Sequence, residues 1–406
     1  MFQHISKISI KVTGKCCLCC EYCHQLFKDK YQSSQRFEDY HNLKNFLLSL
    51  PFTNVVDVTI TGGEITMVEN DFLKTVQTLK SVERMKDVTF DICIITNGTN
   101  MDLIYDWCNK KIIKPNKTSI SWDGIYSASK SRKTSGKYDD EYFCNVIKGL
   151  GKSEYNHDIS IVTAVTPNTI DNLYDSYDFC INNGVYNWGY YFIHEGNYDN
   201  EEFEKKFRDE ITKIAKRYIE IANSGEEVCY YNWQLIHTRR KFPTNFHVCS
   251  KLGNNYHIDM NGDIYPCIYF GDHRAYKFGN IAQGIDENIK SKFIEEYTRE
   301  PMCEFKTCGN VQCSECPASN FVHNKSLSAR FKNTCKLLTI ENEVYDEYSP
   351  LLESFWNQRT MFIPKDEYYK YVDTMKSSLE QFECTDCSLN DSVIISPNYQ
   401  GVRQWF

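Results

Sequence analysis

Short β-rich runs alternate with stretches whose apolar residues recur at helical spacing over the first half of the chain. Ile8 to Val12, Val55 to Ile60, Val88 to Ile95, Thr118 to Trp122, Ile159 to Val165 and Tyr186 to Ile193 read as strands. Between them Phe37 to Leu50 (halted by Pro51), Phe72 to Val82, 102–111, Tyr138 to Leu150 and Ile170 to Asn183 read as helices. Glu201 to Asn223 is a long, charged amphipathic helix that closes this region. Such alternation predicts an α/β fold with a parallel sheet covered by helices. The five or six βα units suit a partial (β/α)6 TIM-like barrel better than a closed eight-stranded one.

From about residue 240 the texture changes: turns become frequent, regular elements shorten and cysteines set the rhythm. Tyr345 to Phe406 then mixes Tyr-rich, helix-like segments with a final Cys384/Cys387 pair. A length of 406 residues suggests two or three domains, and the texture divides them as 1–235, 236–340 and 341–406. A hydrophobic content of 41% with 25% charged residues is that of a globular chain. Net charge −8 argues against a nucleic-acid partner, whose binding surface would be basic. The opening MFQHISKISIKVTGK lacks the apolar core and cleavage site of a secretory signal. No apolar run approaches the roughly 20 residues that span a bilayer. A cytoplasmic, reducing location without a membrane partner is the expectation.

That expectation changes the meaning of the 19 cysteines. In a reducing compartment many thiols point to metal or redox chemistry rather than to disulfides. Cys93, Cys108, Cys144 and Cys180 stand alone among apolar residues and read as small buried hydrophobes. The others concentrate in two groups. In the first, Cys16, Cys20 and Cys23 form C-x3-C-x2-C directly after the first strand. Three thiolates on one loop can hold three irons of a [4Fe–4S] cube and leave the fourth without a protein ligand, where a small chelating molecule can bind. Cys17 and Cys19 permit other triples, including C-x2-C pairs of zinc type.

The C-x3-C-x2-C spacing, with Tyr22 before the last cysteine, resembles the signature of the radical S-adenosylmethionine (SAM) superfamily. Thr61-Gly62-Gly63-Glu64 after the second strand looks like the family's GGE motif, which holds the methionine amino group. Thr96-Asn97-Gly98 after the third matches its TNG segment. Ser121-Trp122-Asp123-Gly124 after the fourth is similar to the stretch whose polar side chains, Ser121 and Asp123 here, meet the ribose. Arg132 falls where many members carry an arginine for the SAM carboxylate. Each tetrapeptide is weak alone, since TNG and DG are also plain turns. Four in order at strand C-terminal ends lie along the edge where barrel active sites are built. The resemblance implies reductive cleavage of SAM to a 5′-deoxyadenosyl radical that abstracts hydrogen from a C–H bond, with an electron donor such as flavodoxin or ferredoxin. His24 either tunes the cluster by hydrogen bonding or sits at the surface.

In the second group Cys249 and Cys267 flank an Asn261-Gly262 hairpin turn, and Cys303, Cys308, Cys313, Cys316 and Cys335 follow. The C-x12-G-x4-C opening and Phe278-Gly279-Asn280-Ile281 resemble the SPASM extension, which typically carries two auxiliary [4Fe–4S] clusters. The middle block departs from the usual gaps, being four, four and two residues. Carried over by order, Cys249, Cys267 and Cys316 would serve one cluster and Cys303, Cys308, Cys313 and Cys335 the other. Cys229 would be the fourth thiolate of the first, or that position would stay open. A structural zinc pair is the alternative use of these thiols. Cys384 and Cys387 could be extra metal ligands, a redox pair or two surface thiols.

SPASM-bearing enzymes mostly modify peptides, so the resemblance implies a ribosomally made precursor peptide as partner and a thioether or carbon–carbon cross-link as product. Their sulfatase-maturing members place an acidic residue after the cysteine matching Cys267. Here Ile268 stands there and Asp272 lies five positions beyond that cysteine. No leader-binding extension precedes the first strand, so leader recognition would fall to a partner, another surface or the C-terminal tail. Sulfatase-maturase-like oxidation, a small-molecule dehydrogenase and a zinc-stapled binding protein are the alternatives.

Overall fold

The computed structural model describes residues 4–23, 36–134, 136–193, 196, 198–226, 228–241, 255–298, 316–328, 334–352, 361–364 and 392–395. In chain order they form β1 (Ile5–Thr13), β2 (Leu18–Cys20), α1 (Tyr40–Ser49), β3 (Phe52–Gly62), α2 (Glu69–Glu83), β4 (Thr89–Thr96) and α3 (Met101–Asn109). Next come β5 (Thr118–Ser121), α4 (Ser127–Lys130), β6 (Arg132–Thr134), α5 (Asp140–Gly151), β7 (Ser160–Val165), α6 (Leu173–Asn182), β8 (Asn187–Phe192) and α7 (Glu201–Asn223). After them run β9 (Cys229–Tyr230), α8 (Tyr231–Lys241), β10 (Asn255–Ile258), β11 (Asp263–Tyr265), α9 (Ile268–Asp272), β12 (Gly279–Asn280), β13 (Gly284–Ile285), α10 (Glu287–Thr298), α11 (Pro317–Asn324) and α12 (Cys335–Tyr348).

β1, β3, β4, β5, β7 and β8 lie side by side in that order and all pair in parallel. Right-handed crossovers between strands added always on the same side put every helix on one face, which is the wall of a barrel. The register shows why the sheet accepts this. Ile8, Ile10, Val58, Ile60, Ile92, Ile94, Ile120, Ile161 and Trp188 fall on one face and are buried. Lys7, Ser9, Lys11, Asp57, Thr59, Asp91, Ser119, Ser160 and Tyr191 fall on the other. Helices cover the aliphatic face: Phe72 of α2 stacks on Trp107 of α3 with ring centroids 4.1 Å apart. Side-chain caps start α1 at Asp39, α3 at Asn100, α5 at Asp139 and α7 at Asn200.

The six expected units are present, and two short parallel strands extend them: β9 beside β8 and β10 beside β1. β10 begins an antiparallel run through β11, β12 and β13, so the cysteine-rich region continues the barrel sheet. The Asn261-Gly262 turn forms as expected. Gly262 takes φ +76°, and Asp259 accepts from the Asn261 and Asp263 amides. A two-stranded antiparallel pair of β2 and β6 was not legible from the pattern. α12 docks on α7 and α8 through His237–Tyr345, Arg240–Asp346 and Lys336–Glu204 contacts. The expected helical C-terminal segment is thus helical to Leu352, and beyond it Met361–Pro364 pairs antiparallel with Ser392–Ile395. Cys93, Cys108 and Cys180 are buried as expected, whereas Cys144 is only partly so. Among the described residues no helix is long and apolar enough to cross a membrane.

Opposite the motif-bearing edge, Asp57 and Asp91 face each other across β3 and β4. Like charges so placed repel, and Lys117 sits between them, 3.4 Å from Asp57 and 2.9 Å from Asp91. Lys114 adds a contact of 2.7 Å to Asp91. Burial opposes ionisation of Asp91, but the two lysines outweigh it and hold its carboxyl below the ordinary 3.8. A depressed folded-state value stabilises the protein above the ordinary carboxylate range, and that contribution is lost as pH falls through the depressed value. Lys117→Met removes the buried cation and is expected to destabilise the fold by about 3 kcal/mol in urea titration at pH 7. The deficit should shrink in acid as Asp91 is protonated; an undiminished deficit there would exclude the charge argument.

Candidate functional site

Three strand ends are stitched together around the first cysteine loop. The Gly63 amide donates to the Thr13 carbonyl at 3.0 Å and the Glu64 amide to the Lys15 carbonyl at 2.8 Å. A Cβ on Gly62 would lie 2.6 Å from the Thr13 carbonyl oxygen, and one on Gly63 would overlap the Lys15 carbonyl. The glycines therefore admit the backbone of the cysteine loop itself. Glu64 is 1% exposed. Its Oε1 accepts from the Thr66 amide (3.1 Å) and from the Thr66 and Thr96 hydroxyls (2.7 and 2.9 Å). Its Oε2 accepts from the Asn97 amide at 2.7 Å. One carboxylate thus joins the ends of β3 and β4, with one Oε2 lone pair still able to receive an ammonium.

Asn97 turns back to the cysteines: its Nδ2 donates to Cys17 Sγ at 3.4 Å and lies 3.8 Å from Cys16 Sγ. The Leu18 amide donates to Cys16 Sγ at 3.5 Å, and the Thr99 hydroxyl lies 3.3 Å from Cys17 Sγ. The Cys16 thiol hydrogen-bonds to Cys17, which raises Cys16 and lowers Cys17. Burial pushes the Cys20 thiol up to about 12, against the pull of the Arg132 guanidinium.

Asp123 is the second hub. Its Oδ2 accepts from the Tyr22 and Ser131 hydroxyls, both at 2.6 Å, and its Oδ1 accepts from the Ala164 amide at 3.1 Å. Arg132 Nε lies 3.2 Å from Oδ2, an ion pair whose angle falls short of a hydrogen bond. Asp123 and Arg132, assigned by resemblance to the ribose and the SAM carboxylate, are here each other's partners. Ser121 ends β5 half-buried. Tyr191, on the same face of the sheet as Ser121, was not singled out in the sequence. Burial raises its hydroxyl, and Asp123, Arg132, Cys20 and Cys23 all act on it electrostatically. Its alternation with Trp188 and Tyr190 was the available signal.

In the second region Cys267 caps α9 and Cys316 caps α11, while Cys335 opens α12; all three are half-buried. Cys229 is buried on β9, where its thiol donates to Gln234 Oε1 at 3.0 Å. Asp272, at the end of α9, reaches the polar face of β1 and meets Lys11 Nζ at 2.7 Å. Beside it Ser9 Oγ and His257 Nδ1 lie 2.8 Å apart. His24, Cys249, Cys303, Cys308, Cys313, Cys384 and Cys387 lie outside the described residues. Among the described residues, no three His, Cys, Asp or Glu side chains converge closely enough to share one metal ion.

A sequence model of the SPASM iron–sulfur cluster-binding domain matches residues 249–317. The fold is similar to that of native anSMEcpe with bound AdoMet, with a TM-score of 0.61 at 15% identity over 92% of this chain and 99% of that one. It is also similar to Streptococcus suis SuiB bound to precursor peptide SuiA, with a TM-score of 0.54 at 14% identity over 80% of this chain and 74% of that one. Residues 249–317 match the SPASM iron–sulfur cluster-binding domain, and the chain shares the fold of anSMEcpe and SuiB. No curated protein sequence matches it.

The first cysteine loop packs Leu18 into the core and is joined to the ends of β1 and β3 by glycine-dependent stitches. Gly63→Ala should therefore displace Lys15 and Cys16 and lose about four irons per chain, one cubane's share, on anaerobic reconstitution. Gly149→Ala, whose added methyl meets nothing within 4 Å on helix α5, should keep its iron. That control should also gain up to about 1 kcal/mol of stability. Equal iron in both variants would mean that the close approach does not support the loop.

Proposed function

We propose that this protein is a radical SAM/SPASM peptide maturase that forms a cross-link, or a related modification, on a ribosomally made precursor. The observation that carries the reading is the convergence of Cys16, Glu64 and Asn97 at the C-terminal ends of β1, β3 and β4. That edge is where barrel enzymes act. The donor set fits the groups implied. Cys16, Cys20 and Cys23 would hold a [4Fe–4S] cluster by three irons, and amide donors already face the sulfurs of the Cys16–Cys17 pair. Glu64 and the Gly62-Gly63 backbone would hold the amino end of SAM, and Ser121 its ribose. When bound, cluster and SAM supply reductive cleavage to a 5′-deoxyadenosyl radical.

The chain's own residues orient and enclose. The polar face of the sheet, with Ser9, Lys11, Thr59 and Tyr191, gives the substrate a wall able to hydrogen-bond a peptide backbone. The aliphatic face and its helices keep water out from behind. Cys267, Cys316 and Cys335, with Cys249, Cys303, Cys308 and Cys313, would serve two auxiliary clusters able to accept the electron left on the substrate. A precursor peptide and a small electron-transfer protein are the partners this reading requires. SuiB is described with a precursor peptide, and an anSMEcpe structure with bound AdoMet and a Cp18Cys peptide, which supports a peptide as the substrate class.

Anaerobic reconstitution should yield more than about eight irons per chain, since three cubane sites are implied; fewer would sink the three-cluster reading. Replacing Cys16, Cys20 and Cys23 together by Ala should abolish 5′-deoxyadenosine formation. Co-expression with short open reading frames beside its gene should yield a peptide lighter by two hydrogens, with two residues joined in tandem mass spectra. The place of Asp272 on the polar face beside Lys11 favours a second reading, sulfatase-maturase-like oxidation of one residue. Under that reading Asp272→Asn blocks product while SAM cleavage continues, and the product contains no bridge.

A further inference from the structure

We propose that Arg132 is the counter-cation of the cluster held by Cys16, Cys20 and Cys23, a positioning residue that sets its reduction potential, and that Tyr22, Asp123 and Ser131 clamp it there. This rests on the iron–sulfur reading of those cysteines. The resemblance assigns Arg132 to the SAM carboxylate, and the structure gives it a place that matters before SAM arrives.

Arg132 opens β6, and its register partner in the antiparallel pair with β2 is Cys20. Residues directly opposite in such a pair carry their Cβ atoms about 5 Å apart on the same face. The Arg132 side chain is 5% exposed, so its charge is little screened by water. The carboxylate in contact with it, Asp123, is fully buried and shares its negative charge among the Tyr22 hydroxyl, the Ser131 hydroxyl and the Ala164 amide. A carboxylate divided among three other donors neutralises the guanidinium incompletely, which leaves positive potential toward the thiolates. Tyr22 lies between Cys20 and Cys23 in sequence. Its hydroxyl on Asp123 therefore ties the ligand loop and the cation clamp into one piece.

A [4Fe–4S] centre bound by three thiolates is anionic and gains a further negative charge on reduction. A fixed buried cation stabilises the reduced state more than the oxidised one and raises the potential.

The test is an EPR-monitored redox titration of the full reconstituted chain without SAM. The relevant signal is identified by its absence from the variant with Cys16, Cys20 and Cys23 replaced by Ala. Arg132→Met should shift the reduction equilibrium tenfold or more toward the oxidised state, a fall of about 59 mV for one electron. Arg132→Lys, which keeps the charge, should restore most of it. Asp123→Asn, which leaves the cation without its carboxylate, should move the potential upward. That opposite sign decides the matter if Arg132→Met does not retain its cluster. An unchanged potential in Arg132→Met with weakened SAM binding would confine Arg132 to the cofactor and overturn the inference, as would a fall in Asp123→Asn. If the wild-type chain shows no such signal, the iron–sulfur reading fails and the inference fails with it. If the signal is present but unmoved, only the inference fails.

Discussion

The candidate site depends on one carboxylate. Glu64 is buried, accepts four hydrogen bonds from its own chain, and gathers donors from the ends of β3 and β4 while its amide holds the loop after β1. A charge removed from water persists only when so compensated. The three strand ends are thereby held at a common level, and the cysteine loop has a floor. The two glycines before Glu64 follow from the same constraint, because any side chain there would occupy the space taken by Thr13 and Lys15.

A second buried carboxylate, Asp123, does the corresponding work on the far side of the loop. It binds a tyrosine from the cysteine loop, a serine at the end of α4, an arginine from the strand paired with that loop, and an amide of β7. The two hubs differ in kind. Glu64 is satisfied by neutral donors and acts as a staple, whereas Asp123 shares its charge with a buried cation. The loop between them is thus anchored at one end by hydrogen bonds alone and at the other by an ion pair. Glu64 acts electrostatically on Cys16 and Cys17, and Arg132 and Asp123 act on Cys20.

The cysteine-rich region is not a separate bead on the barrel. β10 pairs in parallel with β1 through the aligned Ser9 and His257, and α9 brings Asp272 onto Lys11. The polar face of the sheet is therefore lined by groups from both halves. Buried polar contacts between segments so distant in sequence also fix their relative geometry more sharply than apolar packing does.

The order of elements, the one-sided sheet and the motif positions were legible in the chain itself. Helical spacing, β-rich runs and glycine-marked turns are local properties, and the boundaries of α7 agree with the sequence reading to the residue. The C-x3-C-x2-C spacing likewise pointed to one loop without any structure. Pairing across space was not legible. The β2–β6 ribbon is too short to leave a periodic signal, and nothing in the sequence links Lys11 to Asp272 or Tyr22 to Asp123. Nor did the sequence reveal that the backbone approaching Gly62 and Gly63 is that of Thr13 and Lys15. Residue type and spacing determine which chemistry is available. Which groups meet depends on the tertiary fold, because distance and burial set the strength of every charge and hydrogen bond in the site.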